Sequence, residues 1–260
     1  QCYGLANVVI GNSVTSIGGS AFYQCYGLAN VVIGNSVTSI GGSAFYQCYG
    51  LANVVIGNSV TSIGYGAFYQ CSGLTSIEIP NSVTSIGDEA FYKCSGLTNV
   101  VIGNGITSIE KNTFRNCSGL KTVINFSNLS FSKGSIGNGY IAYYADKIYN
   151  LPGGFIENDF LLGIVNSVNT LVEYFGDGGD ITLPENCNGE NYVIGANAFK
   201  NNTAITGVTI PAGVTAIGDN AFYGCENLKT VTNNSSLNIV AGSTDKYGTH
   251  AYFGKALGVD

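Results

Sequence analysis

The chain has 260 residues, of which 45% are hydrophobic and only 10% charged, which excludes a disordered chain because disorder pairs low hydrophobicity with high charge. A net charge of −6 and a pI near 4.7 repel nucleic acid and anionic membrane, and no run of consecutive Lys or Arg occurs. No apolar stretch approaches the roughly 18 residues of a membrane span.

The chain contains no Met and opens at Gln1-Cys2 in the middle of a repeat. It reads as a trimmed or processed piece whose targeting signal lies outside it. From there Cys2, Cys25, Cys48, Cys71, Cys94 and Cys117 recur every 23 residues, and Leu5, Leu28, Leu51, Leu74, Leu97 and Leu120 keep the same step. Residues 2–24 and 25–47 are identical, and 48–70 differ from them only at Tyr65 and Gly66. A fixed period in this range is the signature of a solenoid.

Within the unit 25–47 the recurring apolar positions are Cys25, Leu28, Val31, Ile33, Val37, Ile40, Ala44 and Phe45. Alternation along Leu28 to Ile33 predicts a strand with Val31 and Ile33 inward and Asn30 and Val32 outward. Asn35-Ser36 turns, Val37 to Ile40 is a second short extended stretch, and Gly41-Gly42-Ser43 turns again. Ala44-Phe45 then drives a wedge into the core. No unit can bury its own face, so the core arises by stacking, with coils about 4.8 Å apart.

The pattern C-x-x-L-x-x-V-x-I-x-x-x-V-x-x-I-x-x-x-A-F resembles the BspA-like, or Treponema pallidum type, leucine-rich repeats. The likeness runs from Cys2 to Leu120 almost without a break and resumes near Ile181. It implies a bacterial secreted or cell-surface protein, and the best-known members are adhesins that bind host matrix proteins or other bacteria.

Further along, Lys121-Thr122-Val123, Asn125, Ser127 and Leu129 return as Lys229-Thr230-Val231, Asn233, Ser235 and Leu237, an offset of 108 (229 minus 121). Both stretches are expected to be caps that cover the last coil of a block. Between them, Gly154 to Val165 and Thr170 to Phe175 read as two strands joined around Asn166-Ser167-Val168-Asn169. Ile181 re-enters the pattern; Asn202 stands where a ladder Cys is due, Cys225 restores it, and Cys187 is off the ladder. The expected fold is therefore mainly β: a leucine-rich-repeat solenoid of 23-residue coils with short strands, in two blocks each ending in a capping segment, with a β-hairpin between them. The segments are 1–126 (about six coils), 127–150 (cap), 151–180 (hairpin insert), 181–232 (second short block) and 233–260 (C-terminal cap).

Chemical readings are weaker than structural ones. The Cys file suits a small buried side chain, with disulfides left open because stacked coils bring Cα atoms within about 5 Å. The chain has no C-x-x-C and a single His, so no metal site is expected. That residue, His250, lies in the second cap with no nucleophile assigned to it. Asp88-Glu89, Glu157-Asp159 and Asp177-Asp180 read as solvated turn or edge residues rather than acid–base pairs or calcium ligands. No catalytic residue and no cofactor are expected.

The outward strand positions carry the functional reading. One file runs Asn7, Asn30, Asn53, Ser76, Asn99 and Thr122, and beside it run Val9, Val32, Val55, Glu78, Val101 and Ile124. An exposed aliphatic strip on a polar face suggests a contact surface. A second candidate is an aromatic face of Tyr23, Tyr46, Tyr69 and Tyr92, with Tyr3, Tyr26 and Tyr49 nearby, since Tyr combines area with a polar tip. The alternatives are a sheet that simply favours β-branched residues and tyrosines that shield the Phe core. The expected partner is a protein or glycan, such as a host matrix protein or another bacterial surface. Neither nucleic acid binding nor membrane insertion of this piece is expected. The alternative role is a spacer or stalk that self-associates edge to edge through an open first coil.

Overall fold

A computed structural model describes residues 2–239. The expected edge at Gln1, His250 and most of the C-terminal capping segment lie outside the described residues. The chain divides into two compact units after Pro152.

In the first unit each of the first five coils contributes one long and one short strand, because an alternating segment such as Asn-Val-Val-Ile is followed, after a turn, by a Ser-Ile pair. The strands are β1 (Asn7–Ile10), β2 (Ser16–Ile17), β3 (Asn30–Ile33), β4 (Ser39–Ile40), β5 (Asn53–Val55), β6 (Ser62–Ile63), β7 (Ser76–Ile79), β8 (Ser85–Ile86), β9 (Asn99–Ile102), β10 (Ser108–Ile109), β11 (Thr122–Asn125) and β12 (Lys147–Asn150). All pair in parallel with their counterpart one coil away, so that Asn7 lies opposite Asn30 and Asn30 opposite Asn53. The long strands form β1-β3-β5 and β7-β9-β11-β12; the short ones form β2-β4-β6-β8-β10. The long ladder breaks between β5 and β7. Pro80 stands there in the file of Gly34 and Gly57, and it has no N–H to donate to the preceding coil.

Burial follows the predicted alternation: Val31 and Ile33 are buried and Val32 is exposed. Inside, Phe22, Phe45, Phe68, Phe91 and Phe114 stack 5.1 Å apart with planes within 8° of parallel. A ring file of this kind needs identical side chains at one spacing, which the repeat supplies. Each fully buried Phe contributes about 1.5–3 kcal/mol. Close coil approach also needs Gly41, Gly64 and Gly87: a Cβ on Gly64 would lie 2.6 Å from the Gly42 nitrogen. Where Glu110 takes this file, its N–H to Ile86 carbonyl bond lengthens to 3.3 Å, against 2.8 Å for Gly64 to Ile40.

The block ends in a cap. Asn125 Oδ1 accepts from Ser127 N at 3.0 Å and Ser127 Oγ at 2.6 Å, while Asn125 Nδ2 donates to Asn150 Oδ1 at 2.9 Å. This turn folds the chain back so that β12 pairs with β11. Asn233 and Ser235 repeat the turn at the same 3.0 and 2.6 Å, so the long-period likeness in sequence is a likeness in local geometry.

The second unit contains β13 (Phe155–Glu157), β14 (Phe160–Val165), β15 (Val168–Tyr174), β16 (Gly179–Thr182), β17 (Tyr192–Ile194), β18 (Ile205–Ile210), β19 (Val214–Ile217) and β20 (Thr230–Asn233). Its sheets are β13-β14-β15-β17-β19 and β16-β18-β20. The expected single strand from Gly154 to Val165 is instead two. Asn158 and Asp159, at φ 47° and 67°, take left-handed backbone and reverse the chain, a conformation short polar side chains tolerate. The hairpin turn is also tighter than expected: Asn166 and Ser167 alone make it, and Val168 already pairs with Val165.

The hairpin is the first rung of the second coil stack, because β15 pairs in parallel with β17. Phe160, Leu162 and Leu171 enter the same core as Phe199 and Phe222. The extra residues around Cys187 are absorbed by a small reversal in which Cys187 and Glu190 exchange backbone hydrogen bonds at 2.8 and 3.1 Å. The pairing resumes on either side with one-residue shifts, between Gly179 and Asp180 in β16 and between Tyr192 and Val193 in β17.

Candidate binding face

Outward side chains of β1, β3 and β5 meet at the parallel-sheet spacing, and their chemistry decides what a partner could use. Asn30 Nδ2 donates to Asn7 Oδ1 at 2.7 Å, and Asn53 Nδ2 donates to Asn30 Oδ1 at 2.8 Å. This amide file satisfies itself, which rigidifies the face. It ends at Ser76, and Asn99 turns its amide to Thr98 Oγ1 at 3.2 Å.

The valine file is open in the first three coils: Val9 is 77% exposed, Val32 41% and Val55 58%. Glu78, also exposed, interrupts it, and Val101 is half-buried. Ile124, expected to continue the file on the surface, is only 5% exposed. It sits in β11, paired with the cap strand β12 opposite Tyr149, so the apolar strip stops before the cap.

Tyr23, Tyr46, Tyr69 and Tyr92 form a second file, stacked at 5.0, 4.5 and 5.0 Å. Tyr23 is exposed and the other three are half-buried. Partial burial, followed by the neighbouring phenol of Tyr23, pushes the Tyr46 hydroxyl above its ordinary pKa. A further file, Tyr3, Tyr26 and Tyr49, runs at 5.8 and 5.4 Å. Sequence reading placed these three only as neighbours of the main file. It also missed the amide ladder beside them, in which Gln24 Nε2 donates to Gln47 Oε1 at 2.8 Å and Gln47 Nε2 to Gln70 Oε1 at 2.7 Å. The signal was the 23-residue recurrence of Gln itself.

All the cysteines are thiols, and all but the exposed Cys2 lie inside. Cys48, Cys71, Cys94 and Cys117 each donate Sγ–H to the carbonyl of a Phe 26 residues earlier, at 3.1 Å. Cys225 does the same to Phe199 at 3.0 Å. Asn202, in the Cys place, instead closes a turn by accepting from Ala204 N at 3.0 Å. Burial pushes the Cys48 and Cys117 thiols up to about 12, which keeps them protonated and poor nucleophiles at neutral pH.

The acidic pairs are spread over turns and edges. Glu89 accepts from the Tyr65 hydroxyl at 2.9 Å, and Asp180 accepts from Thr206 Oγ1 at 2.7 Å. Among the described residues no group of three or more His, Cys, Asp or Glu side chains converges on a metal-sized space. Among the described residues no helix is long and apolar enough to cross a membrane.

A family model for the BspA-type leucine-rich repeat region matches residues 1–136 and 181–244, with six copies. The chain belongs to that family. The crystal structure of the T. pallidum leucine-rich repeat protein is similar at 28% identity, over 57% of this chain and 71% of that one, with a TM-score of 0.50. A leucine-rich cell surface protein from Faecalibacterium prausnitzii is 25% identical over 88% of this chain, with a TM-score of 0.38. The pneumococcal vaccine antigen PcpA is 18% identical over 92%, with a TM-score of 0.39. The chain spans 60% and 64% of the length of these last two. No curated protein matches it.

Proposed function

We propose that this chain is a non-catalytic binding module of a secreted or surface-exposed bacterial protein. It takes a protein or glycan ligand along the sheet face formed by β1, β3 and β5. The observation that carries this reading is the open valine file, Val9, Val32 and Val55, held flat by the self-bonded Asn7–Asn30–Asn53 ladder. Exposed apolar area beside a rigid polar row is the kind of surface that gains by being covered. Membership of a leucine-rich repeat family supports the same reading, as does the cell-surface description of the F. prausnitzii protein. Identical coils present one contact several times, so weak individual contacts add up by avidity.

The test replaces Val32 and Val55 with Lys and measures binding to a panel of immobilised matrix proteins and glycans. Retained affinity for a partner that the parent chain binds removes the sheet face from consideration. A second reading, a spacer or self-associating stalk, draws on the identity of residues 2–24 and 25–47, since coils that pair in register within one chain can do so between chains. Light scattering across concentration separates the two: growth in mass that Val9→Lys suppresses favours the stalk.

A further inference from the structure

We infer that a second, separate site lies at the turns ahead of β7 and β9 and takes the ring of a carboxylated sugar. The file Tyr3, Tyr26, Tyr49 ends where Ser72 and Ser95 replace the ring. Tyr26 stacks on one side of Tyr49 at 5.4 Å and 10°. No ring follows on the other side, and Tyr49 is 42% exposed. The missing ring leaves a groove of about 260 Å³, lined by Tyr49, Gln70, Ser72, Lys93, Ser95 and Asn116.

The lining is rich in donors because the amide file ends there. Gln47 donates to Gln70, but the next member of the file is Lys93, which has nothing to accept with. Gln70 Nε2 and Lys93 Nζ therefore have no hydrogen-bond acceptor among the described residues. Lys93 Nζ stands 5.5 Å from the centre of the Tyr92 ring, which fixes it by a cation–π contact at the groove wall. It is also the first cation in the chain, since residues 1–92 contain no Lys or Arg.

Surplus donors with a positive charge ask for an anionic acceptor. The single aromatic wall asks for one apolar ring face. The Asn116 amide is already held, its Nδ2 donating to the Tyr92 hydroxyl at 3.3 Å and its Oδ1 accepting from Tyr144 at 3.4 Å, but the hydroxyls of Ser72 and Ser95 ask for a polar rim on the remaining sides. An aromatic acid would leave those groups unpaired, whereas a pyranose carries an apolar face and a hydroxyl rim together. With the carboxylate on Lys93 and Gln70, the sugar ring occupies the next place in the tyrosine stack. The volume falls just under the roughly 300–1,000 Å³ of drug-sized sites, which suits one ring.

The test is an NMR titration of the chain with methyl β-D-glucuronide. Methyl β-D-glucoside and N-acetylglutamate amide are the neutral-sugar and acidic-peptide controls. The expected result is saturable millimolar binding that shifts the Gln70, Ser72 and Ser95 amides, with each control weaker by about tenfold, the worth of one charge-assisted contact. Lys93→Gln restores the residue this file carries at Gln24, Gln47 and Gln70, and should weaken binding by a similar factor. Ser72→Tyr restores the file of Tyr26 and Tyr49 and should abolish binding by filling the groove. Because each uses a residue already present at that place in other coils, both should fold; if Ser72→Tyr does not, Lys93→Gln carries the test. No saturable shift, equal binding of either control, or an unchanged Lys93→Gln affinity would overturn the proposal.

Discussion

The thiol of Cys71 donates to the carbonyl of Phe45 at 3.1 Å, tying the start of one coil to the aromatic wedge of an earlier one. Both residues are fully buried. The carbonyl also accepts from Cys48 N, so removing the thiol leaves it satisfied and the cost is chiefly the void. Cys71→Ala should lower unfolding free energy by about 1–2 kcal/mol in urea titrations, and Cys2→Ala, at an exposed site, by under about 0.5 kcal/mol.

Alkaline pH should unfold the chain through the same file. The Cys48 and Cys117 thiols are raised from 9.0 to about 12 by burial, and Cys225 to about 11. The folded state thus holds protons that the unfolded state releases first. Their contribution is fully present below pH 9 and is lost as pH rises from there toward 12. Urea midpoints measured from pH 7 to 11 should fall above 9, and the Cys48→Ala chain should show a shallower fall. A flat profile would contradict buried thiols.

Gly64 is a point of close contact between rigid backbones rather than a flexible joint. Its added Cβ would meet the Gly42 nitrogen at 2.6 Å and the Gly41 carbonyl carbon at 2.8 Å, neither of which can swing away. Gly64→Ala should cost about 1–3 kcal/mol by forcing the coils apart. The control is Gly18→Ala in the first coil, where nothing lies within 4 Å; thermal melts should separate the two variants clearly.

The binding test on the sheet face requires that its variants remain folded. Val32 and Val55 are exposed, so Val32→Lys and Val55→Lys should each shift stability by no more than about 0.5 kcal/mol. Val31→Lys, one residue away and buried, should instead fail to fold, which circular dichroism would report.

The first unit was legible because its repeat is nearly literal. Asn30 and Val32 alternate with Val31 and Ile33, and the alternation alone assigns the two faces of the strand. What escaped reading depends on side chains that meet across coils or on conformations that many residues share. Asn158-Asp159 reverses the chain without a glycine of its own, and the polar triplet Glu157-Asn158-Asp159 between Phe155-Ile156 and Phe160-Leu161 was a turn signal that the apolar residues around it masked. The parallel pairing of Thr170 with Val193 joins dissimilar residues, so the hairpin looked like an insertion rather than the first rung of a stack. Ile124 looked like one more outward aliphatic; its burial comes from the capping region, which the repeat does not encode. The groove beside Tyr49 became visible only once files were followed to the coil where they change, from Tyr49 to Ser72 and from Gln70 to Lys93.

Residues 2–24 and 25–47 are the same sequence and lie register-matched, Asn7 opposite Asn30 and Ser16 opposite Ser39. Any such segment makes the same lateral contacts with its neighbours wherever it is inserted in the run. The array is therefore modular in a strict mechanical sense: a gene that gains or loses one 69-nucleotide unit, three for each of 23 residues, lengthens or shortens the reach of the surface by a single rung. The hydrophobic seam inside would close over the change unbroken.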